Sequence, residues 1–589
     1  MEPSSDNQRS VPSIQAPPIL KIKSRTNLEK DDQSSSTHTA KSSFSSKSFE
    51  RSSMPPLQRV LTLNLDADGE NVIGSSLAYE SIQASKPDIN CRDPLFEVKF
   101  SLDDPDNPRS WPRWYRILIL MTVAFGSMNV VVHGSGYARS IPSIMEEFGV
   151  RDRLLVTMGV SVYLLGIGSG CLLLAPLGEI YGRKRVYTIC MFIYCLLFLP
   201  GALGKSLPTI LAGRFLSAFA GSVMASNSSG TVCDNFTGKH RPLALSFWSL
   251  GPLSGFVIGP LTGGFIVEYL HWRWNSWILM MTSVVAWLLL VSIKETYMPV
   301  LLRKKAKKLR KETGDSRWWS QYDHDLTGKL GHKAMNLITH SDLIVFQILK
   351  TNLSRPFVLA FTEPILWFWN GYITLIYSIL YLCFVAYPIV YVEIRGWPQG
   401  LTGFGFLGIG VGTIMVIASE PLVRRISSQR QRKATKNDVA APISITLVCI
   451  ASILCPLGQL WFAWTSVPAT IHWIWPMLAT IPFGASICLV LVHGTNYLAE
   501  IYGIYAASAL SGNVLVRNAI GGLLPLAGPS LYSKLGPQWT GTILGLILIV
   551  LIPVPFIFYK YGHIIQAKSP AMKRLHLEMK NQEKLSTAV

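Results

Sequence analysis

Twelve apolar runs, roughly 116–137, 154–174, 186–204, 208–232, 244–268, 275–295, 366–392, 401–420, 441–464, 474–497, 505–530 and 540–560, constrain this chain more than any other feature. A helix needs about 20 apolar residues to cross roughly 30 Å of hydrocarbon. Lipid offers no water to backbone polar groups, so runs of this length are expected to be helices. With 49% hydrophobic and 15% charged residues and a mean hydropathy of +0.31, an ordinary soluble domain is excluded. The gap between the sixth and seventh runs is the longest, and six spans, a connector and six spans suggest a pseudo-duplicated transporter. The expected layout is all-α: a disordered cytoplasmic tail over 1–107, a six-helix bundle over 108–296, a basic cytoplasmic connector over 297–365, a second bundle over 366–560 and a cytoplasmic tail over 561–589.

The formal charge of +19 does not point to nucleic acid, because Lys and Arg fall in alternate loops and the tails rather than in a basic–aromatic module. One set of loops carries Arg183, Lys184, Arg185, Lys239, Arg241, the cluster between Arg303 and Arg355, and Arg424 to Lys436. The other set carries only Arg139, Arg151, Arg153, Lys205, Arg273, Arg395 and Lys534. That asymmetry places both termini in the cytoplasm. The stretch Leu301–Lys311 reads as a basic amphipathic helix lying on anionic headgroups. Asn107–Arg116 puts aromatic and basic residues at the membrane border. The amino end lacks a cleavable signal pattern. Sequons at Asn227, Asn235 and Asn352 fall in or beneath the membrane and are expected to be silent. Cys171, Cys190, Cys195, Cys449 and Cys488 lie inside apolar runs without metal-ligand or disulfide spacing.

Between the second and third runs stands Ala175-Pro-Leu-Gly-Glu-Ile-Tyr-Gly-Arg-Lys-Arg185, a charged turn whose Gly178 and Gly182 permit a tight reversal. This stretch resembles the loop between spans 2 and 3 of the major facilitator superfamily, matching its pattern at Leu177, Glu179, Gly182, Arg183 and Lys184. Ala175 replaces the usual first Gly, and Glu179 the more general Asp. The Glu-x-Tyr-Gly-Arg version is similar to that of fungal twelve-span drug:proton antiporters, as are Asn107-Pro-x-x-Trp-Pro, Phe361-Thr-Glu-Pro-Ile365, Trp473–Met477 and Tyr505–Ala509 with Arg517. Lys294-Glu-Thr-Tyr297 departs from that group's Pro-Glu-Thr-Tyr. The resemblance covers about 107–569 and implies the major facilitator fold, with twelve helices in two halves and a cavity lined by spans 1, 4, 7 and 10.

In the fifth run, Gly251, Gly255, Gly259 and Gly263 recur every fourth residue, a bare stripe that permits close helix packing, while Pro252 and Pro260 interrupt the backbone ladder. With Gly264, this pattern resembles the antiporter signature of superfamily exporters and implies export over uptake. Arg214 lies in the fourth run, where an unpartnered arginine costs roughly 2.5 kcal/mol or more. It matches the arginine that the family links to proton coupling, although Ser217 and Ala218 replace the Gln and Gly of that motif. The resemblance also implies an inner-gate ion pair of Arg183 with Asp234, with Glu179 near the amino end of span 11.

Further polar groups are Asn129 and His133 in span 1, Asn370 and Tyr377 in span 7, His493 and Asn496 in span 10, and Arg517 in span 11. Each histidine is either a proton carrier on the substrate path or a packing residue satisfied by its neighbours. Span 7 adds Trp367, Trp369, Tyr372 and Tyr381, an aromatic wall for flat ligands or a set of interfacial anchors. The expected function is proton-coupled efflux of small organic molecules, such as xenobiotics or a fungal secondary metabolite. Polyamine export and nutrient import are the alternatives. A polyamine site should contain carboxylates, and none stands near the middle of spans 1, 4, 7 or 10. No nucleotide loop, nucleophile elbow or zinc motif marks an enzyme. The expected partners are the substrate, protons and the bilayer, with no cofactor and no metal, for a monomer in the plasma membrane or, alternatively, the vacuolar membrane.

Overall fold

A computed structural model describes residues 96–100, 104–237, 240–320, 354, 356–359, 362–433, 443–502 and 506–568. The spans are Arg113–Phe148, Arg153–Tyr181, Arg183–Leu203, Leu207–Asn235, Arg241–Tyr269, Arg273–Ser292, Pro364–Ile394, Leu401–Ile426, Ile443–Ser466 and Ile474–Tyr502, numbered 1 to 10. The continuous apolar stretch Ser508–Gly562 supplies spans 11 and 12, 508–535 and 537–562. They divide at Gly536, whose φ of +73° is a left-handed conformation open to glycine. Most helices outrun the apolar pattern that announces them. Span 1 continues past residue 137 through a 3-10 turn, Tyr137–Ser140, into Ile141–Phe148. The helix of span 8 runs on to Lys433.

Each half forms its own bundle. Span 2 packs on span 4 and span 5 on span 1 in the first half; span 8 packs on span 10, and span 7 on spans 11 and 12, in the second. The halves meet through spans 2 and 11 and spans 5 and 8. The end that carries Arg183, the connector and Arg424 is called the basic face below, and the other the opposite face.

The glycine stripe of span 5 lies against span 1. A Cβ at Gly255 would stand 3.0 Å from the Met128 carbonyl oxygen, and one at Gly263 3.0 Å from that of Gly136, so backbone meets backbone. Gly251 abuts the Ala124 carbonyl and Gly259 that of Val132. Gly264 faces Gln399 and Gly400 of the other half, and Pro260 with Leu261 meets Gly403.

The connector differs from the sequence reading. Its helix, Met298–Thr313, does not leave its apolar face free for headgroups. Leu302 and Ala306 pack against Val98, with Phe100, Leu309 and Trp318 around them. A backbone bridge joins Glu97 to Trp319 and Asp104 pairs with Lys305. The segment before span 1 is therefore packed from residue 96, although the sequence assigns it to a disordered tail. Alternating Phe96, Val98 and Phe100 supply the apolar side. Residues 1–95, and Asn352, lie outside the described residues.

Nor is the start of span 1 simply an interfacial belt. Trp111 is buried, donating from Nε1 to the Pro105 carbonyl, while Trp114 is exposed. Lys294, which replaces a proline in the resemblance, donates its backbone N–H to the Tyr115 hydroxyl at 2.9 Å. A proline has no such donor.

Candidate functional site

The turn after span 2 builds a buried cluster on the basic face. Gly182 adopts φ +98°, a conformation that lets span 3 begin immediately at Arg183. Two of that helix's unpaired N–H groups, those of Arg183 and Lys184, donate to the Glu295 carboxylate at 3.0 and 3.1 Å. A carboxylate at a helix amino end satisfies both the donors and the dipole. The Arg183 Nε donates to Asp234 Oδ2 at 2.6 Å and Nη1 to the Asn227 carbonyl at 3.1 Å, with the guanidinium over the Tyr297 ring. Arg183 and Asp234 are about as buried as core residues. Apart from Tyr297, at the start of the connector, these groups belong to the first half. The pair thus ties spans 3 and 4 together rather than bridging the two bundles. Glu179, half-buried, lies within electrostatic reach of Arg183 and Asp234. Its expected approach to residue 505, at the amino end of span 11, falls outside the described residues. Asn227 and Asn235 are buried, leaving no room for a glycan.

Inside the first half, Arg214 Nε donates to the Gly159 carbonyl at 2.8 Å, and its guanidinium lies 3.9 Å over Tyr137 and 5.0 Å over Tyr163. Arg214 is therefore partnered by a carbonyl and two aromatic faces, without a carboxylate. His133 packs among Tyr163, Tyr194 and Phe198, its Nδ1 3.4 Å from the Tyr194 hydroxyl. Asn129 donates to the Phe125 carbonyl one turn back. His133 and Arg214 line a cavity of about 30 Å³ with Tyr137, Ser217 and Asn275, enclosed among spans 1, 3, 4 and 6. That is room for a water molecule or two. His133 faces into its own bundle, where its ring fills an aromatic box.

The aromatic wall crosses between the halves. Phe256 of span 5 has ring centroids of Tyr377, Tyr381 and Phe384 at 6.3, 6.0 and 6.2 Å. The Tyr381 hydroxyl reaches span 1, 3.4 Å from where a Cβ of Gly134 would stand. The Arg517 guanidinium lies 4.7 Å from the Tyr377 ring, and the Tyr377 hydroxyl 3.3 Å from Asn518 Oδ1. Asn370 accepts from Asn513 Nδ2 at 2.7 Å. Trp367 is exposed, as an anchor would be. Trp369 is fully buried and donates to the Gly494 carbonyl at 3.0 Å. Gly494 closes a π-helical turn, Val490–Gly494, whose altered ladder makes such a carbonyl accessible.

The same turn presents His493, and its partner is a residue the sequence reading passes over. Glu420 of span 8 places Oε2 3.5 Å from His493 Nε2, while Oε1 accepts from Arg424 Nη2 at 2.8 Å. Glu420 and His493 are both buried. Arg424 Nη2 also lies 3.4 Å from the Ser246 hydroxyl of span 5, in the other half. Cys488 and Glu500 are the remaining titratable groups within reach, and Glu500 is held by Ser444 at 2.7 Å. No carboxylate is expected near the middle of spans 1, 4, 7 or 10, and the one that meets His493 comes from span 8, where the apolar run ends at residue 420 and the helix continues. Asn496, by contrast, is exposed and joins none of these contacts.

Two six-helix halves meet through spans 2, 5, 8 and 11 around a polar-aromatic centre, the layout of a membrane transporter. The superfamily model described as Major Facilitator Superfamily matches residues 117–495. The chain belongs to the major facilitator superfamily and is a transporter, not an enzyme. It is 35% identical over 479 residues to "Efflux pump FUB11" of Gibberella moniliformis, covering 80% of this chain and 77% of that one. It is 36% identical over 498 residues to the "Major facilitator superfamily multidrug transporter mdrA" of Aspergillus fumigatus, covering 82% and 78%. The citrinin biosynthesis cluster transporter mrr1 of Monascus ruber is 35% identical over 470 residues, covering 79% and 90%. The inward-open xylose transporter XylE of E. coli shares the fold, with a TM-score of 0.54 at 12% identity over 76% of this chain and 98% of that one.

Proposed function

We propose that this chain exports small organic molecules, neutral or weakly acidic and partly aromatic, in exchange for protons. The observation that carries this reading is the wall of Phe256, Tyr377, Tyr381 and Phe384 between the halves, with Arg517 over Tyr377 and Arg214 within electrostatic reach of Tyr381. Flat apolar molecules stack on such rings, and nearby guanidiniums favour a partial negative charge over a cation. Relatives named as efflux pumps, a multidrug transporter and a biosynthesis-cluster transporter support the direction of transport. Glu420 does not revive the polyamine reading, because His493 and Arg424 already engage both of its oxygens.

The coupling proton belongs to the Glu420–His493 pair. A proton taken up by the pair on the His493 side draws Glu420 toward the histidine and loosens its hold on Arg424, the residue that reaches Ser246 in the other half, and so links a proton to the contact between halves. Arg183, Asp234 and Glu179 act as a support for the basic-face gate, and Arg214 as a fixed charge. The basic face is cytoplasmic by its excess of Lys and Arg, and the protein works as a monomer in the plasma membrane. Expression in a pump-deficient yeast tests the substrate class: protection against toxic aromatic acids and neutral fungicides is expected. Protection against spermine alone contradicts it.

A further inference from the structure

Arg139 is assigned by its charge to a loop, yet it stands within span 1 and is 3% exposed. It occupies the 3-10 turn Tyr137–Ser140 near the opposite face. Tyr137 and Ser140 line the small cavity inside the first half. Arg139 points across to the second half, its guanidinium 5.5 Å from the Phe406 ring. Phe406 belongs to an aromatic cluster, 5.3 Å from Phe384 and 4.6 Å from Tyr387. Neither Nε nor Nη2 of Arg139 has a hydrogen-bond partner among the described residues.

Among the described residues no contact joins Arg139 to a carboxylate near this face, and Glu146 is exposed. Glu147 holds Arg273, Glu393 holds Arg153, and Glu268 accepts the Gly400 N–H. A guanidinium does not shed its proton, and a buried cation without a hydrogen-bonding anion is costly. Arg214, equally buried, has the Gly159 carbonyl at 2.8 Å; Arg139 has a ring and two free donors. Its planar fork fits a carboxylate through two parallel hydrogen bonds, and the adjoining rings fit an arene.

We propose that Arg139 is a substrate-binding residue that takes the carboxylate of an aromatic acid at the outer end of the path, with the substrate's ring against Phe384, Tyr387 and Phe406. This rests on the export reading above and narrows its substrate class to aryl carboxylates. The position is the last buried cation that such a molecule meets before the opposite face.

The test uses the full-length chain in lipid nanodiscs, titrated with benzoate, its uncharged ester methyl benzoate, and sodium chloride, followed by tryptophan fluorescence. Wild-type protein is expected to bind benzoate saturably and to prefer it to chloride. Arg139→Gln is expected to weaken benzoate at least tenfold and to erase the preference over methyl benzoate. Arg139→Lys, which keeps the charge but not the fork, should lose less, and this variant also guards against a folding defect. Equal losses for benzoate and the ester, no loss for either, or a site that chloride fills as well as benzoate would each overturn the assignment. So would a wild type that binds no benzoate. Benzoate binding that depends on Arg139, without export in yeast, would leave the site standing and remove the export reading instead.

Discussion

The two halves treat the ends of corresponding spans differently. After span 2, Arg183 is locked between Asp234, the Asn227 carbonyl and the Tyr297 ring, with Glu295 holding the backbone beneath it. Near the end of span 8, Glu420 is shared between Arg424 and a histidine, and Arg424 reaches out of its own bundle to Ser246. The first cluster locks one guanidinium against a carboxylate, a carbonyl and a ring, and reaches no residue of the second half. The second joins a carboxylate to a histidine and an arginine and touches the other half. The difference separates a brace from the switch proposed above.

The comparison breaks most visibly at the brace. Arg183→Ala should leave Asp234 buried and uncompensated, a loss of about 3–5 kcal/mol, read as a large drop in unfolding temperature of the purified protein. Exchanging the pair, Arg183→Asp with Asp234→Arg, should recover part of that loss. A double-mutant cycle without coupling would show that the two act separately.

At the switch, Glu420→Gln should leave the unfolding temperature nearly in place and uncouple transport from the proton gradient. A loss of at least tenfold in gradient-driven flux, about 1.4 kcal/mol, is expected. Unchanged flux, or a stability loss matching that of Arg183→Ala, would merge the two clusters into one kind of structure.

Smaller effects sharpen the brace. Lys294→Pro removes the N–H that meets the Tyr115 hydroxyl, at a cost of about 1 kcal/mol. A melting shift larger than that of Tyr115→Phe would mean that ring geometry, not the hydrogen bond, dominates. The smallest effect concerns the connector. Burial pushes the Asp104 carboxyl up, but the hydrogen bond and charge of Lys305 outweigh it, so its pKa lies below the usual value. A depressed folded-state pKa contributes stability above the unfolded value, near 4, and the contribution is lost as pH falls through the folded one. The pair is partly exposed, so about 0–1 kcal/mol is at stake. Hydrogen-exchange protection over 298–313, taken relative to the intrinsic rate at each pH, should fall below pH 4 in the wild type and show no such fall in Asp104→Asn.

The spans were legible because lipid demands long apolar runs, and the sequence places all twelve. Their ends were not legible. Arg139 stands two residues past the end of an apolar run and reads as a loop residue, and Glu420 is the last residue of another and reads as its border. Both helices continue, and neighbouring spans bury the charges, a tertiary fact that hydropathy cannot carry. His493 stood out as a polar residue in span 10, but its partner lies on another helix at no fixed spacing. Glu295 was visible as a charge after span 6, while its role as a cap for span 3 depends on the turn at Gly182. The docking of Val98 on Leu302 joins segments about 200 residues apart, and three alternating apolar residues are too short a signal to announce it.

The central claim is that the chain moves an aromatic acid outward in exchange for protons. Sealed vesicles with the basic face outward and an acid lumen test it directly, because passive equilibration excludes benzoate from an acid compartment. The expected result is accumulation of labelled benzoate in that lumen, abolished by collapsing the pH difference and independent of ATP. Exclusion of benzoate from the acid lumen despite intact protein, or accumulation driven by ATP without a pH difference, would contradict the account.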